Sequence, residues 1–213
     1  MQVSRMEIVC IDPLFLVINK PSGLLSVPGR GEAMQDCVVN RIKTLFPDCI
    51  KQPAVHRLDM DTSGLMVVAR TSEAHRHLSI QFAERQVDKH YIALLEGIVN
   101  QHAGEITLAF RLDPDNRPHQ IYDPLHGKMG ISRWQLMGIE GERSRIEFTP
   151  LTGRTHQLRL AASHPLGLGI PIVGDRLYGL GKEPGKLLLH AAYLAFDHPR
   201  SGQRMQYHSP PSF

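Results

Sequence analysis

The segment His56-Arg57-Leu58-Asp59-Met60-Asp61-Thr62-Ser63-Gly64-Leu65 sets two carboxylates two positions apart behind a histidine and an arginine. It then runs straight into the apolar stretch LMVVAR (65–70). A carboxylate at the mouth of a buried strand is held rigidly enough to serve as a nucleophile or a general base. A lone aspartate in such a place is ordinarily a solvated turn residue. Here, however, a second dense polar motif, GRTHQLR at 153–159, also abuts apolar sequence. The two motifs read as two walls of one site. Arg154 follows a glycine and precedes a short helix expected over 155–164. Its guanidinium is the natural counter-ion for Asp59, since a charge-assisted pair keeps a carboxylate ionised and in one rotamer. Taken alone, Arg154 fits a phosphate contact or a solvated helix start equally well.

The elements that must carry these residues can be traced from hydrophobic period and turn chemistry. MEIVC (6–10) and LFLVIN (14–19) predict two strands joined at Ile11-Asp12-Pro13. A Gly/Pro-rich loop, KPSGLLSVPGRGE, follows. A helix is expected from Met34 to Phe46, with Val38, Ile42, Leu45 and Phe46 on one face and Pro47 as its stop. Strand LMVVAR comes next, then a helix over EAHRHLSIQFAER capped by Ser72, with Leu78 and Phe82 at i, i+4. From Lys89 onward β signals dominate: HYIALLEG, GEITLAFRL, the segments around Trp134 and RIEFTPL, and finally LLLHAAYLAF and MQYHSPPSF. Many strands, few helices and no steady βαβα order predict an α+β fold on a mixed, largely antiparallel sheet. The expectation is a single domain over 1–213, with 113–130 (DPDNRPHQIYDPLHGKMG) as a surface insertion.

Composition narrows the function classes. At 213 residues the chain can bury a core without disulfides or metal. No apolar run is long enough to span a bilayer, and the N-terminal residues lack a signal-peptide h-region. Three cysteines without CxxC spacing point to reduced thiols and a cytoplasmic protein. The net charge of +3 is too small to name a partner, but 17 of the 24 basic residues are arginines. Arginine stacks on bases and grips phosphate with two hydrogen bonds, which suits RNA. Biased codon usage would give the same excess.

Other chemistries lack their signatures. Twelve histidines invite a metal site, but His75 and His77 diverge on a helix, and neither HExxH nor a Cys/His quartet occurs. Ser63 sits outside any GxSxG, and Gly29-Arg30-Gly31 is too short for a phosphate-binding fingerprint.

Six segments occur in an order that resembles the RluA family of pseudouridine synthases. They are NKPSGLLSVPGR (19–30), HRLDMDTSGL, KHYIAL (89–94), GRTHQLR, PIVGDRLYG (171–179) and LLLHA (187–191). The likeness runs from about residue 7 to the C-terminus, and the pairing of HRLDxxTSG with GRTHQLR is highly specific. It implies a pseudouridine synthase fold with flanking helices and a central active-site cleft. It also implies an activity: cleavage of the N1–C1′ bond of uridine in RNA, rotation of the uracil, and reattachment through C5. The substrates implied are uridines in large-subunit 23S rRNA, in tRNA anticodon stem-loops, or in both. No cofactor and no metal are expected. The partner is RNA, with no membrane association and a monomeric chain. The few residues before the first strand leave no room for the N-terminal S4-type RNA-binding domain that many relatives carry.

The resemblance assigns roles residue by residue. Asp59 matches the catalytic aspartate, whereas Asp61 falls at a variable position. Three routes are open to that carboxylate: attack at C1′, addition to C6 of the base, or removal of the C2′ proton. In each the freed uracil must be kept in a closed pocket. Tyr91 matches the family's active-site tyrosine, placed to stack under uracil, and Arg154 completes the catalytic constellation with Asp59 and Tyr91. Arg57 resembles the arginine that fills the stack when the uridine leaves, offsetting part of the cost of flipping; an ion pair with Asp61 is its other reading. His56 is expected to cap its loop or touch a phosphate. Lys20, Arg30, Arg159, Arg76 and Arg85 are candidate phosphate contacts. The rival from another class is a non-catalytic RNA-binding or ribosome-assembly factor on the same fold, and a second rival is a synthase for a different tRNA position.

Overall fold

The computed structural model describes residues 6–213. In chain order the elements are β1 (Glu7–Ile11), β2 (Phe15–Lys20), α1 (Val38–Leu45), β3 (Ser63–Ala69), α2 (Ser72–Ala83), β4 (Asp88–Leu95), β5 (Ala103–Leu112), β6 (Gln120–Tyr122), β7 (Lys128–Glu140), β8 (Arg143–Pro150), α3 (Gln157–Ser163), β9 (Leu189–Asp197) and β10 (Arg204–His208). The strand pairings are mostly antiparallel, so the class is the expected α+β. The chain divides into two compact units. One comprises the described residues up to Lys89 together with His190–Phe213, and the other is His90–Leu189.

In the first unit β1 and β3 flank β2, both antiparallel to it, with Ile8 opposite Ile18 and Phe15 opposite Ala69. β9 joins β3 in parallel through Ser63–His190 and Gly64–Ala191, and β10 runs antiparallel on β9. β3 is buried from Gly64 to Ala69, which explains why its sequence is continuously apolar rather than alternating. α2 packs on this strand, and Phe15, Val17, Leu65, Val67, Leu78 and Phe196 form the core beneath.

Two helix starts differ from expectation for local reasons. The helix expected from Met34 begins only at Val38. A short 3-10 turn spans Glu32–Met34. After it, Cys37 pairs with Leu25 in a parallel bridge and the Val38 N–H donates to the Leu25 carbonyl, so the chain is extended at the cap and the helix starts after it. Cys37, outside the usual capping types, accepts the Asn40 N–H on its sulfur. In α2 the cap is Thr71 rather than Ser72, its hydroxyl accepting from the Ala74 N–H.

The second unit is an antiparallel series in the order β4, β8, β7, β5, β6. Tyr91 and Trp134 both lie opposite Phe148, and Phe110 lies opposite Tyr122. α3 lies against β5, β7 and β8. Phe110, Trp134, Ile146, Phe148 and Leu158 fill the core. The 113–130 stretch is largely exposed, yet it supplies β6 and the first residues of β7. Its turn is closed by Asp123, which accepts from the Leu125 and His126 N–H groups and from the Arg111 guanidinium. Among the described residues no helix is long and apolar enough to cross a membrane.

Candidate active site

The loop that carries Asp59 is built by capture of its carbonyls. Four consecutive carbonyl oxygens each accept a hydrogen bond. The Ser26 hydroxyl donates to Leu58 O (2.6 Å), and the Thr62 N–H to Asp59 O (3.2 Å). The Gly23 N–H and Lys20 Nζ both donate to Met60 O (each 2.9 Å), and the Ser22 hydroxyl to Asp61 O. Ser26 also accepts the Leu58 N–H (3.0 Å). All the donors except Thr62 come from the segment 20–26, so KPSGLLS is the mould in which HRLDMD is cast. A loop whose carbonyls are all captured is held in one conformation rather than many. Asp59 stands half-buried in it, with Asp61 buried beside it.

This overturns one expectation. Lys20, expected on a phosphate, is 0% exposed. Its ammonium spends its three hydrogens on the carbonyls of Pro21, Leu24 and Met60. Burial pulls its pKa down to about 7, while the nearby carboxylates of Asp59 and Asp61 act to raise it. Lys20 therefore places positive charge behind the loop and cannot reach solvent.

The far end of the motif is fixed by chain crossing. Gly64 has φ +111, and a Cβ there would collide with the main chain of Ala191, so the TSG glycine is required twice over. One residue earlier, Ser63 Oγ lies 2.9 Å from His190 Nδ1, and His190 Nε2 lies 3.0 Å from the Ser209 carbonyl. A carbonyl only accepts, so Nε2 carries the proton and Ser63 donates to Nδ1. Burial lowers the His190 pKa, against the bond to Ser209, and favours this neutral form. His56 has the structural role expected as one of its two readings. Its Nε2 accepts the Val67 N–H (3.1 Å), and its ring stacks on Phe82 at 4.4 Å. Burial, with the charge of Lys89, pushes its pKa down to about 3.

The GRTHQLR motif in the second unit is organised by its side chains. Gln157 Oε1 accepts from the Thr152 hydroxyl (2.7 Å) and the Arg154 N–H (3.0 Å), while its Nε2 donates to Ile131 O and Ser132 Oγ. Arg159, expected on a phosphate, is 3% exposed and forms a bidentate pair with Asp175 at 2.8 and 2.6 Å. That expectation is corrected too: the guanidinium is consumed internally. Burial works against the Asp175 carboxylate, but the hydrogen bonds and charge of Arg159 outweigh it and hold its pKa below the ordinary value. Arg154 is exposed, with its Nε donating to Met129 O (3.2 Å).

Tyr91 is half-buried on β4 and packs against the second core. Arg57, Arg30, Arg76 and Arg85 are exposed. Arg85 also ends α2, at φ 61, the left-handed position that commonly follows a helix C-cap. Among the described residues no cluster of His, Cys, Asp or Glu is arranged to hold a metal. Sequence reasoning assigned no role to Ser22, Ser26, Gln157, Asp175, Tyr178 or His190. Their types carry no catalytic signature; the only signal was that each falls inside one of the six motif segments.

With that geometry in hand, comparison with known proteins gives the class. The RNA pseudouridylate synthase family matches residues 14–164, and the chain belongs to that family. It is an RNA pseudouridine synthase, an enzyme that isomerises uridine in RNA. Among individual proteins it is 42% identical over 212 residues to the dual-specificity RNA pseudouridine synthase RluA of Pasteurella multocida, covering 98% of this chain and 94% of that one. It is 40% identical to the protein of the same name from Haemophilus influenzae, with the same coverage. It is 41% identical over 206 residues to that of Escherichia coli K12, covering 95% of this chain and 91% of the other. Among solved structures, human RNA pseudouridylate synthase domain containing 1 superposes with a TM-score of 0.78 at 29% identity, covering 100% of this chain and 86% of that one. Human RNA pseudouridylate synthase domain containing 4 shares the fold, with a TM-score of 0.75 at 23% identity over 96% of this chain and 88% of that one.

Proposed function

We propose that this synthase modifies uridines in two kinds of RNA, the large-subunit rRNA and the anticodon stem-loop of tRNA, with Asp59 as its catalytic carboxylate. The two-substrate reading is supported by identity of about 40%, over nearly the whole chain, to synthases named for dual specificity. The observation that carries the catalytic reading is the complete capture of the carbonyls of residues 58–61. It holds a carboxylate-bearing loop still and sets the buried charge of Lys20 behind it. A preorganised carboxylate meets developing positive charge at C1′, or bonds to the sugar or base, without first having to be ordered.

In this reading Tyr91 supports the uracil ring, and Arg154 acts in the catalytic machinery. Arg57 fills the space left by the everted nucleotide, and Arg30, Arg76 and Arg85 meet phosphates. Both compact units serve one catalytic domain over 1–213, and the protein works as a monomer in the cytoplasm without cofactor or metal. Base flipping is least costly in a loop, which fits stem-loop targets recognised by shape and unpaired bases.

The test is tritium release from stem-loop transcripts labelled at C5 of uridine, one from rRNA and one from tRNA. Wild-type protein is expected to release tritium from both, and Asp59→Ala from neither. Release from only one transcript removes the dual specificity. Undiminished release by Asp59→Ala removes the aspartate.

A further inference from the structure

His156 is one of only two non-glycine residues among those described with positive φ, at 56°. It lies two positions after Arg154 and directly before α3. For a residue with a Cβ this backbone is strained and persists only where the surroundings impose it. The imposing group is Tyr178. Its hydroxyl lies 2.7 Å from His156 Nδ1 and accepts the main-chain N–H of Gln120 at 2.8 Å. The phenol oxygen thus accepts from Gln120 and shares a second hydrogen bond with the His156 ring, whose direction follows the imidazole tautomer. The ring of Tyr178 is itself seated. The Arg159 guanidinium lies 5.2 Å from its centroid, and Asp175, which grips Arg159, also accepts the N–H groups of Leu177 and Tyr178.

One hydroxyl thus joins three segments: the strand β6 inside 113–130, the VGDRLYG segment, and the turn that presents Arg154. The same turn is fastened from its other side by Gln157, which accepts the Arg154 N–H. We propose that Tyr178 is a positioning residue for Arg154. Its hydroxyl holds His156 in the left-handed conformation and so fixes where the Arg154 side chain departs from the backbone, with β6 as the anchor. The inference rests on the reading of Arg154 as part of the catalytic machinery. Its distinguishing claim is that Tyr178 acts on the reaction only through that arginine.

Tyr178→Phe removes one oxygen and keeps the ring over Arg159. Misplacing a catalytic group by about 1 Å costs up to about a hundredfold in rate, so kcat for pseudouridine formation is expected to fall about tenfold to a hundredfold. KM for the RNA and the melting temperature should stay near wild type. His156→Gly keeps a backbone that tolerates positive φ and removes the imidazole that bonds the Tyr178 hydroxyl. It should lose rate by a similar factor, and adding Tyr178→Phe to it should lose nothing more. In single-turnover assays Tyr178→Phe should likewise have no further effect on the residual rate of Arg154→Lys.

Three results would overturn the proposal: an unchanged kcat in Tyr178→Phe, a loss matched by an equal loss of thermal stability, or losses that multiply with those of Arg154→Lys. A fully active Arg154→Ala would instead remove the role of the arginine, while a Tyr178→Phe defect in that background would show that the tyrosine acts by another route.

Discussion

Around Asp59 the groups held in place are main-chain carbonyls, whereas around Arg154 they are side chains. Carbonyl capture does not depend on which residues the loop itself carries; it depends on the donors Lys20, Ser22 and Ser26, 32 to 40 residues upstream. The Arg154 turn depends on the identities of His156, Gln157, Arg159, Asp175 and Tyr178, each bonded to a specific atom of another. The first arrangement yields a loop tolerant of its own sequence and sensitive to a distant one. The second yields a turn sensitive at every member.

The contrast can be broken most forcefully at Arg159. Arg159→Met leaves Asp175 charged and without its partner in an almost fully buried position. Removing one member of such a pair costs about 3–5 kcal/mol, so calorimetry should show a fall in melting temperature on the order of 10 °C. A small change would mean that the second region is not held by its ion pair. Lys20→Met is the matching probe of the first region. It removes three hydrogen bonds but also the cost of burying an ammonium, so the expected destabilisation is smaller, about 1–3 kcal/mol. It should be accompanied by a loss of kcat that Ser26→Ala reproduces in part. Full activity in Lys20→Met would show that the loop keeps its shape without the lysine.

The remaining probe concerns pH. The folded protein holds the His56 pKa at about 3 against an ordinary 6.5. As pH falls below 6.5 the unfolded chain takes up this proton first, so stability present above 6.5 is lost progressively toward 3. His56→Gln cannot titrate and should lose less stability between pH 7 and 4 than wild type, as read from urea midpoints. Parallel curves would place the acid sensitivity elsewhere.

The period-2 and period-3.6 patterns were enough to locate most strands and helices, because core packing writes them into the sequence locally. The two motifs were legible for the same reason that they matter: dense polar residues abut apolar runs only where something rigid must meet solvent. Charge, by contrast, misled at Lys20 and Arg159. Both look like phosphate contacts in one dimension, and both are buried by partners 40 and 16 residues away in sequence. The Cys37 cap and the delayed start of α1 were illegible because the cause is a bridge to Leu25, which no local pattern reports. The parallel joining of β3 to β9 spans more than 120 residues and left only one trace, the glycine of TSG.

That joining has a consequence for biosynthesis. A ribosome that has polymerised residues up to 188 has already made the Asp59 segment and nearly all of the second unit. The earlier unit still lacks β9 and β10, because both lie beyond residue 188. Gly64 then has no Ala191 to lie against and Ser63 no His190. Completion of the Asp59 neighbourhood therefore awaits the synthesis of β9, and a nascent chain truncated before it is expected to leave uridines untouched.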